Sequence, residues 1–83
     1  MSNETNKTIS LTFPITVDGV EVKSLNLRRP KVKDQLAAQS GGSEMEREIS
    51  LFANLTEQTP DTIKDLDLKD YQSLQEGFAG FLS

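Results

Sequence analysis

Apolar and polar side chains alternate over residues 9–16, and this two-residue period is typical of a half-buried β-strand. The Asp18-Gly19 dipeptide that follows is a favoured two-residue turn between the strands of a hairpin. We therefore predict an antiparallel β-hairpin over residues 9–28, preceded by a flexible N-terminal tail at residues 1–8.

The second strand of this hairpin changes its pattern partway along, and the change predicts a β-bulge. With the turn in place, Val22 faces Ile15, but regular pairing beyond that point would turn Leu25 to the wrong face of the sheet. One extra residue near Lys23-Ser24 would restore the phase. The predicted partners across the sheet are then Leu25 with Phe13 and Leu27 with Leu11.

A helical repeat of apolar residues follows the hairpin, in two stretches separated by Gly41-Gly42. The first stretch predicts a helix over about residues 31–39. The second begins with a capping box formed by Ser43 and Glu46 and predicts a helix over about residues 44–55. The side chains that the first helix would bury are Val32, Leu36 and Ala37.

Two further helices are predicted toward the end of the sequence. Thr59-Pro60 combines an N-cap with proline at the first helical position and predicts a helix over about residues 60–65. Asp67, together with Asp70 in the next turn, predicts the cap of a last helix over about residues 68–82.

The order of these elements predicts an α+β fold in which the hairpin packs on a small bundle of three to four short helices. A two-stranded hairpin alone is only marginally stable in water, so it must pack on the helices or pair with another chain. We expect a single domain over residues 9–83.

The residue types that are missing exclude several kinds of chemistry. The 83 residues include no Cys and no His, so thiolate nucleophiles, Cys-ligated metals and the usual general base are absent. No apolar run approaches the roughly 20 residues that cross a bilayer, and the polar start lacks the apolar core of a signal peptide. We expect a cytosolic, non-enzymatic protein without a cofactor.

One cluster of acids invites comparison with a calcium site. Asp65, Asp67 and Glu76 stand at the first, third and twelfth positions of a calcium-binding loop. However, Lys69 occupies the fifth position, and Asp70 stands where the sharp turn requires glycine. We therefore interpret these acids as a helix cap and as complements of the helix dipole.

Charge is distributed unevenly along the chain, which carries a net charge of −4. Six basic and four acidic residues lie within residues 1–40, whereas three basic and nine acidic residues lie within residues 41–83. The single basic cluster is a candidate for electrostatic docking, although the overall negative charge disfavours nucleic acid as its partner. This cluster consists of Arg28, Arg29, Lys31 and Lys33.

Large apolar side chains in the acidic half exceed what one small core is expected to cover. Leu51 and Leu55 widen the apolar face of the predicted helix over residues 44–55 to more than half of its circumference. Such a wide face indicates a surface that binds another helix, although a compact core could also use it. The candidate partner-binding residues are Leu51, Leu55, Phe78, Phe81 and Leu82.

The ordered set of motifs from residue 9 to residue 82 resembles the phage tail assembly chaperone family of Mu-like and related contractile-tailed phages and prophages. The motifs that carry this resemblance are Val17-Asp18-Gly19-Val20-Glu21-Val22, Leu25-x-Leu27-Arg28-Arg29-Pro30, Glu48-Ile49-x-Leu51-x-Ala53-x-Leu55-Thr56 and Leu66-x-Leu68-x-Asp70-Tyr71-x-x-Leu74-Gln75.

The resemblance implies an assembly factor that binds the phage tape measure protein and keeps it soluble until the tail tube polymerises. It further implies a longer frameshifted form of the same protein and the tail tube protein as partners, and self-association is compatible with the sequence. Two alternatives remain open. One is a structural tail or baseplate component, and the other is a phage regulatory protein that contacts nucleic acid through Arg28, Arg29, Lys31 and Lys33.

Overall fold

The computed structural model describes residues 5–39 and 42–83, which form a two-stranded antiparallel sheet followed by four helices. This order confirms the predicted α+β class. The first strand begins three residues before the predicted start, so the predicted tail at residues 1–8 includes strand residues; residues 1–4 lie outside the description. The elements are β1 (Asn6–Val17), β2 (Val20–Arg28), α1 (Val32–Ala38), α2 (Glu44–Thr56), α3 (Pro60–Lys64) and α4 (Leu68–Leu82).

The hairpin turn is the one that the sequence predicts. Val17 pairs with Val20, and the two residues between them both have positive φ, 51° for Asp18 and 79° for Gly19. Such a turn follows the right-handed twist of the strands, and glycine adopts this conformation without the steric cost of a Cβ atom. The predicted pairing of Val22 with Ile15 is also present.

The pairing of β1 with β2 is interrupted, but not in the way that the sequence predicts. Ser10 pairs with Ser24 and Ile15 with Val22, so four residues of β1 lie opposite the single residue Lys23 of β2. The predicted position along β2 is therefore right, whereas the prediction that β2 carries the extra residue is wrong. The predicted pairs are wrong as well: Leu25 faces Ile9 and Leu27 faces Lys7.

The extra residues lie in β1 because two backbone N–H groups in this stretch bind a side chain instead of β2. The amides of Thr12 and Phe13 donate to the carboxylate of Asp70, at 2.8 and 3.0 Å. Pro14 follows and has no N–H to donate to a ladder. Asp70 is fully buried and points toward β1, so the prediction that it helps to cap α4 is wrong.

The other helix caps are as predicted. Ser43 and Glu46 form the reciprocal capping box of α2, with distances of 3.1 and 3.0 Å. The Thr59 side chain accepts from the backbone of α3, which has proline at its start, and Asp67 caps α4. The predicted break at Gly41-Gly42 falls partly outside the described residues, since Gly41 is not among them.

Helix α1 faces the core with a different side from the one predicted. The prediction that Val32, Leu36 and Ala37 are buried is wrong, because all three are exposed, and Asp34 and Ala38 face inward instead. The physical reason is an ion pair with β2: Arg28 donates to both carboxylate oxygens of Asp34, at 2.8 and 3.0 Å. This bidentate contact fixes the rotation of α1 about its axis.

One hydrophobic cluster joins the sheet to α2, α3 and α4. Phe52 lies within it, with its ring edge-to-face against Tyr71 at 5.5 Å and against Phe78 at 5.7 Å between centroids. The side chains that are buried most completely are Phe52, Leu27, Leu55, Ile63, Leu74 and Asp70. The hairpin is thus stabilised by packing on the helices, as the fold prediction requires.

Candidate functional site

The five apolar residues that the sequence nominates for partner binding fall into two groups. Leu55 and Phe81 are buried in the core, so their side chains cannot contact a partner in this conformation. Leu51 and Phe78 are half-buried at the edge of the core, and Leu82 is 67% exposed. Sequence periodicity alone could not separate these groups, because all five lie on the apolar faces of α2 and α4.

Leu51, Phe78 and Leu82 meet in one groove of about 420 Å³ between α1, α2 and α4. Ala38 of α1 adds a small apolar side chain to its wall. The structure therefore brings together three of the five nominated residues, and it does so through helices that are distant in sequence. We call this depression the α1–α2–α4 groove.

The rim of the α1–α2–α4 groove is polar. We use the word rim for the polar residues that line the groove, which are Gln35 and Gln39 of α1 and Glu44, Arg47 and Glu48 of α2. Two carboxylates beside one guanidinium leave this rim with a net negative charge. An apolar floor with a polar rim is the general form of a surface that binds another chain.

A hydrogen-bond network on Glu48 holds α2 against α4 beside the groove. The Tyr71 hydroxyl donates to Glu48 Oε1 at 2.5 Å, and Gln75 Nε2 donates to the same oxygen at 2.9 Å. Burial, the hydrogen bond to Glu48 and its negative charge together raise the pKa of Tyr71, so the hydroxyl keeps its proton and acts as a donor. The network fixes one wall of the groove.

The basic cluster is divided in the structure. Arg28 is committed to Asp34 and also lies 3.4 Å from the carbonyl oxygen of Asn54. The Arg29 guanidinium lies 5.5 Å from the centroid of the Phe81 ring, whereas Lys31 and Lys33 are exposed. Of the four residues nominated for electrostatic docking, Arg29, Lys31 and Lys33 are exposed, and within the described residues only Arg28 is committed to an ion pair.

Sequence reasoning missed two features of the surface. The exposed outer face of α1 carries Val32 and Leu36, which the helical repeat had placed in the core. A second, smaller groove lies between α2, α3 and α4, with Met45 and Leu68 exposed at its edge. Asp34 was the sequence signal for the exposed face of α1, because its carboxylate offers an ion-pair partner for Arg28 at the end of β2.

Asp70, which stands where a calcium-binding loop would require glycine, accepts backbone hydrogen bonds with both of its carboxylate oxygens. Across the described part of the chain, no three acids are placed together so as to hold a metal ion. Within residues 5–39 and 42–83, no helix is both long enough and apolar enough to cross a membrane.

Comparison with known protein families gives the same family as the order of the sequence motifs. Residues 8–83 match the family described as phage tail assembly chaperone proteins, E, or 41 or 14. Because this match covers nearly the whole sequence, the chain belongs to that family, and the resemblance drawn from its motifs is confirmed. No curated protein and no solved structure matches the chain.

Proposed function

We propose that this protein binds the phage tape measure protein in the host cytoplasm and keeps it soluble until the tail tube forms around it. The observation that carries the proposal is the family match over residues 8–83, which defines a tail assembly chaperone. The α1–α2–α4 groove supports it, since a chaperone needs apolar surface that a client can cover.

The groove suits reversible binding of apolar client surface. Leu51 and Phe78 pack against the core and are half-buried, so each leaves part of its apolar area accessible, and Leu82 adds an exposed side chain. Covering such side chains removes apolar area from water, which contributes roughly 25 cal/mol per Å². Nine acidic residues in the helical half would keep the complex in solution through charge repulsion.

Such a function requires no catalytic step. The client would be covered while it is exposed and released when tube subunits compete for the same apolar faces. The protein would then be absent from the finished particle. Mass spectrometry of purified virions separates this proposal from a structural tail component, which would be retained.

Leu82 and Leu68 form a matched pair for testing the groove. Both are leucines of α4 with similar exposure, 67% and 64%, but only Leu82 lines the α1–α2–α4 groove. We expect Leu82→Gln to reduce co-purification of the co-expressed tape measure protein, and Leu68→Gln to leave it unchanged. Equal co-purification with both variants would exclude the groove, and no co-purification with the unaltered chain would exclude the function.

A further inference from the structure

The outer face of α1 is apolar, exposed and basic at the same time. Val32 and Leu36, one helical turn apart, are 80% and 67% exposed. Lys31 and Lys33 flank Val32, and both are exposed. Neither lysine takes part in an ion pair within the part of the chain that the structure describes. Apolar side chains as exposed as these on a small domain indicate a surface that is covered in a complex.

The α1–α2–α4 groove has the complementary properties. Its floor is apolar, through Leu51, Phe78 and Leu82, and its rim carries the carboxylates of Glu44 and Glu48 beside the single cation of Arg47. The same opposition appears along the whole sequence, with a positive first half and a negative second half. Complementary potentials of this kind direct association and fix its register.

We propose that the outer face of α1 docks into the α1–α2–α4 groove of a second copy of this chain. Val32 and Leu36 of one copy would contact the apolar floor of the other, and Lys31 and Lys33 would face its acidic rim. Each copy carries both surfaces, and in the proposed dimer the contact is made twice about a two-fold axis, which is the commonest form of closed homo-oligomer.

We expect the pairing to be weak and reversible because the contact between the two copies is small. Each contact rests on two exposed apolar side chains of a seven-residue helix, whereas a stable interface buries roughly 1,200–2,000 Å². If the protein has the proposed function, the second copy would cover the groove until a client replaces it. Self-association would then protect the apolar floor without blocking the client.

Sedimentation velocity on the full chain, from about 10 µM to 1 mM, tests the pairing. We expect a monomer–dimer equilibrium that Leu36→Ser weakens and that rising salt weakens as well. Leu68→Ser is the matched control, since this leucine is similarly exposed but lies outside both surfaces. A monomer at every concentration would overturn the proposal, whatever the outcome of the tape measure experiment.

Charge-reversal variants test directly whether the outer face of α1 and the α1–α2–α4 groove are the two contact surfaces. The double variant K31E/K33E and the single variant E44K should each dimerise at least roughly tenfold more weakly, because like charges would then face each other. Mixed in equal amounts, the two variants should associate again, since each contact then has opposite charges. Circular dichroism checks that both variants fold, and failure of the mixture to associate would overturn the assigned surfaces.

Discussion

The carboxylate of Asp70 in α4 lies 2.8 Å from the backbone nitrogen of Thr12 in β1, 58 residues earlier in the sequence. Its second oxygen accepts from the amide of Phe13. One buried side chain therefore supplies the hydrogen bonds that β2 does not offer to the interrupted stretch of β1. This contact ties the irregular strand to the first turn of the last helix.

We predict that Asp70→Asn destabilises the fold by about 3 kcal/mol. Asparagine has one acceptor oxygen, so one of the two amides would face an NH₂ group and lose its partner in the buried site. Urea unfolding measures the change in the free energy of unfolding. Asp65→Asn is the control, because Asp65 is exposed, and its effect should stay within about 0.5 kcal/mol. Equal effects of the two substitutions would contradict this assignment.

Stability should fall at acid pH because of Asp70 and Asp34. Burial alone would raise the pKa of Asp70, but the amides of Phe13 and Thr12 outweigh it and lower that pKa. For Asp34, the hydrogen bond from Arg28 lowers the pKa despite burial. Both contributions are fully present above the unfolded pKa of about 3.9 and are lost as the pH falls through the lower folded values.

The pH dependence can be assigned by measuring the urea midpoint between about pH 6 and pH 2. Below the unfolded pKa, the unfolded chain binds more protons than the folded one, so the midpoint should fall. In Asp70→Asn that fall should be smaller, since one of the two carboxylates has been removed. An unchanged fall would mean that Asp70 does not contribute.

Local signals predict most of this fold because they depend on few residues. Asp18-Gly19 sets the hairpin turn, and Ser43 with Glu46 sets the start of α2, through contacts made within the same stretch of chain. The bulge could not be placed on the correct strand, because its cause is Asp70, a partner 58 residues away. Its carboxylate resembled a second helix cap when only neighbouring residues were considered.

Gly77 and Gly80 of α4 should respond in opposite directions to alanine. A Cβ atom on Gly77 would lie 3.1 Å from side-chain carbons of both Ile9 and Leu27, which are packed in the core. A Cβ atom on Gly80 would meet only the end of the flexible Lys7 side chain, which can shift at the cost of its hydrogen bond to the carbonyl oxygen of Gly77. Alanine improves helix propensity by up to about 1 kcal/mol at either position. Overpacking costs about 1–3 kcal/mol, and only at Gly77.

We therefore expect Gly77→Ala to lower the free energy of unfolding by about 1 kcal/mol and Gly80→Ala to raise it by about 0.5 kcal/mol. Urea unfolding of the two variants under the same conditions provides the comparison, and each serves as the control for the other. A stabilised Gly77→Ala variant would show that the sheet can move away from α4 at little cost.

The candidate site could be predicted only in outline. An apolar repeat shows which side of a helix is apolar but not how far the neighbouring elements cover it. Leu55 is covered by the core, whereas Leu51, one helical turn earlier, reaches the groove. The misplacement of Val32 has a related cause, since an ion pair rather than the apolar repeat fixes the rotation of α1.

Phe81 and Leu82 are adjacent in sequence but should differ sharply in their effect on stability. Phe81 is buried, with the Lys7 ammonium 4.4 Å from its ring centroid, whereas Leu82 is exposed. We expect Phe81→Ala to lower the free energy of unfolding by about 3–5 kcal/mol, because it leaves a cavity. Leu82→Ala should change it by less than about 0.5 kcal/mol.

A third substitution separates the volume of the Phe81 ring from its attraction for cations. Phe81→Leu keeps apolar volume in the core but removes the ring that faces Lys7 and Arg29. Its cost should be about 1–2 kcal/mol, well below that of Phe81→Ala, because the cavity is largely filled and only the cation–π attraction is lost. Urea unfolding of Lys7→Met, made both in the unaltered chain and in the Phe81→Leu variant, completes a double-mutant cycle. An interaction energy near zero would show that Lys7 is held by the carbonyl oxygen of Gly77, at 3.0 Å, rather than by the ring.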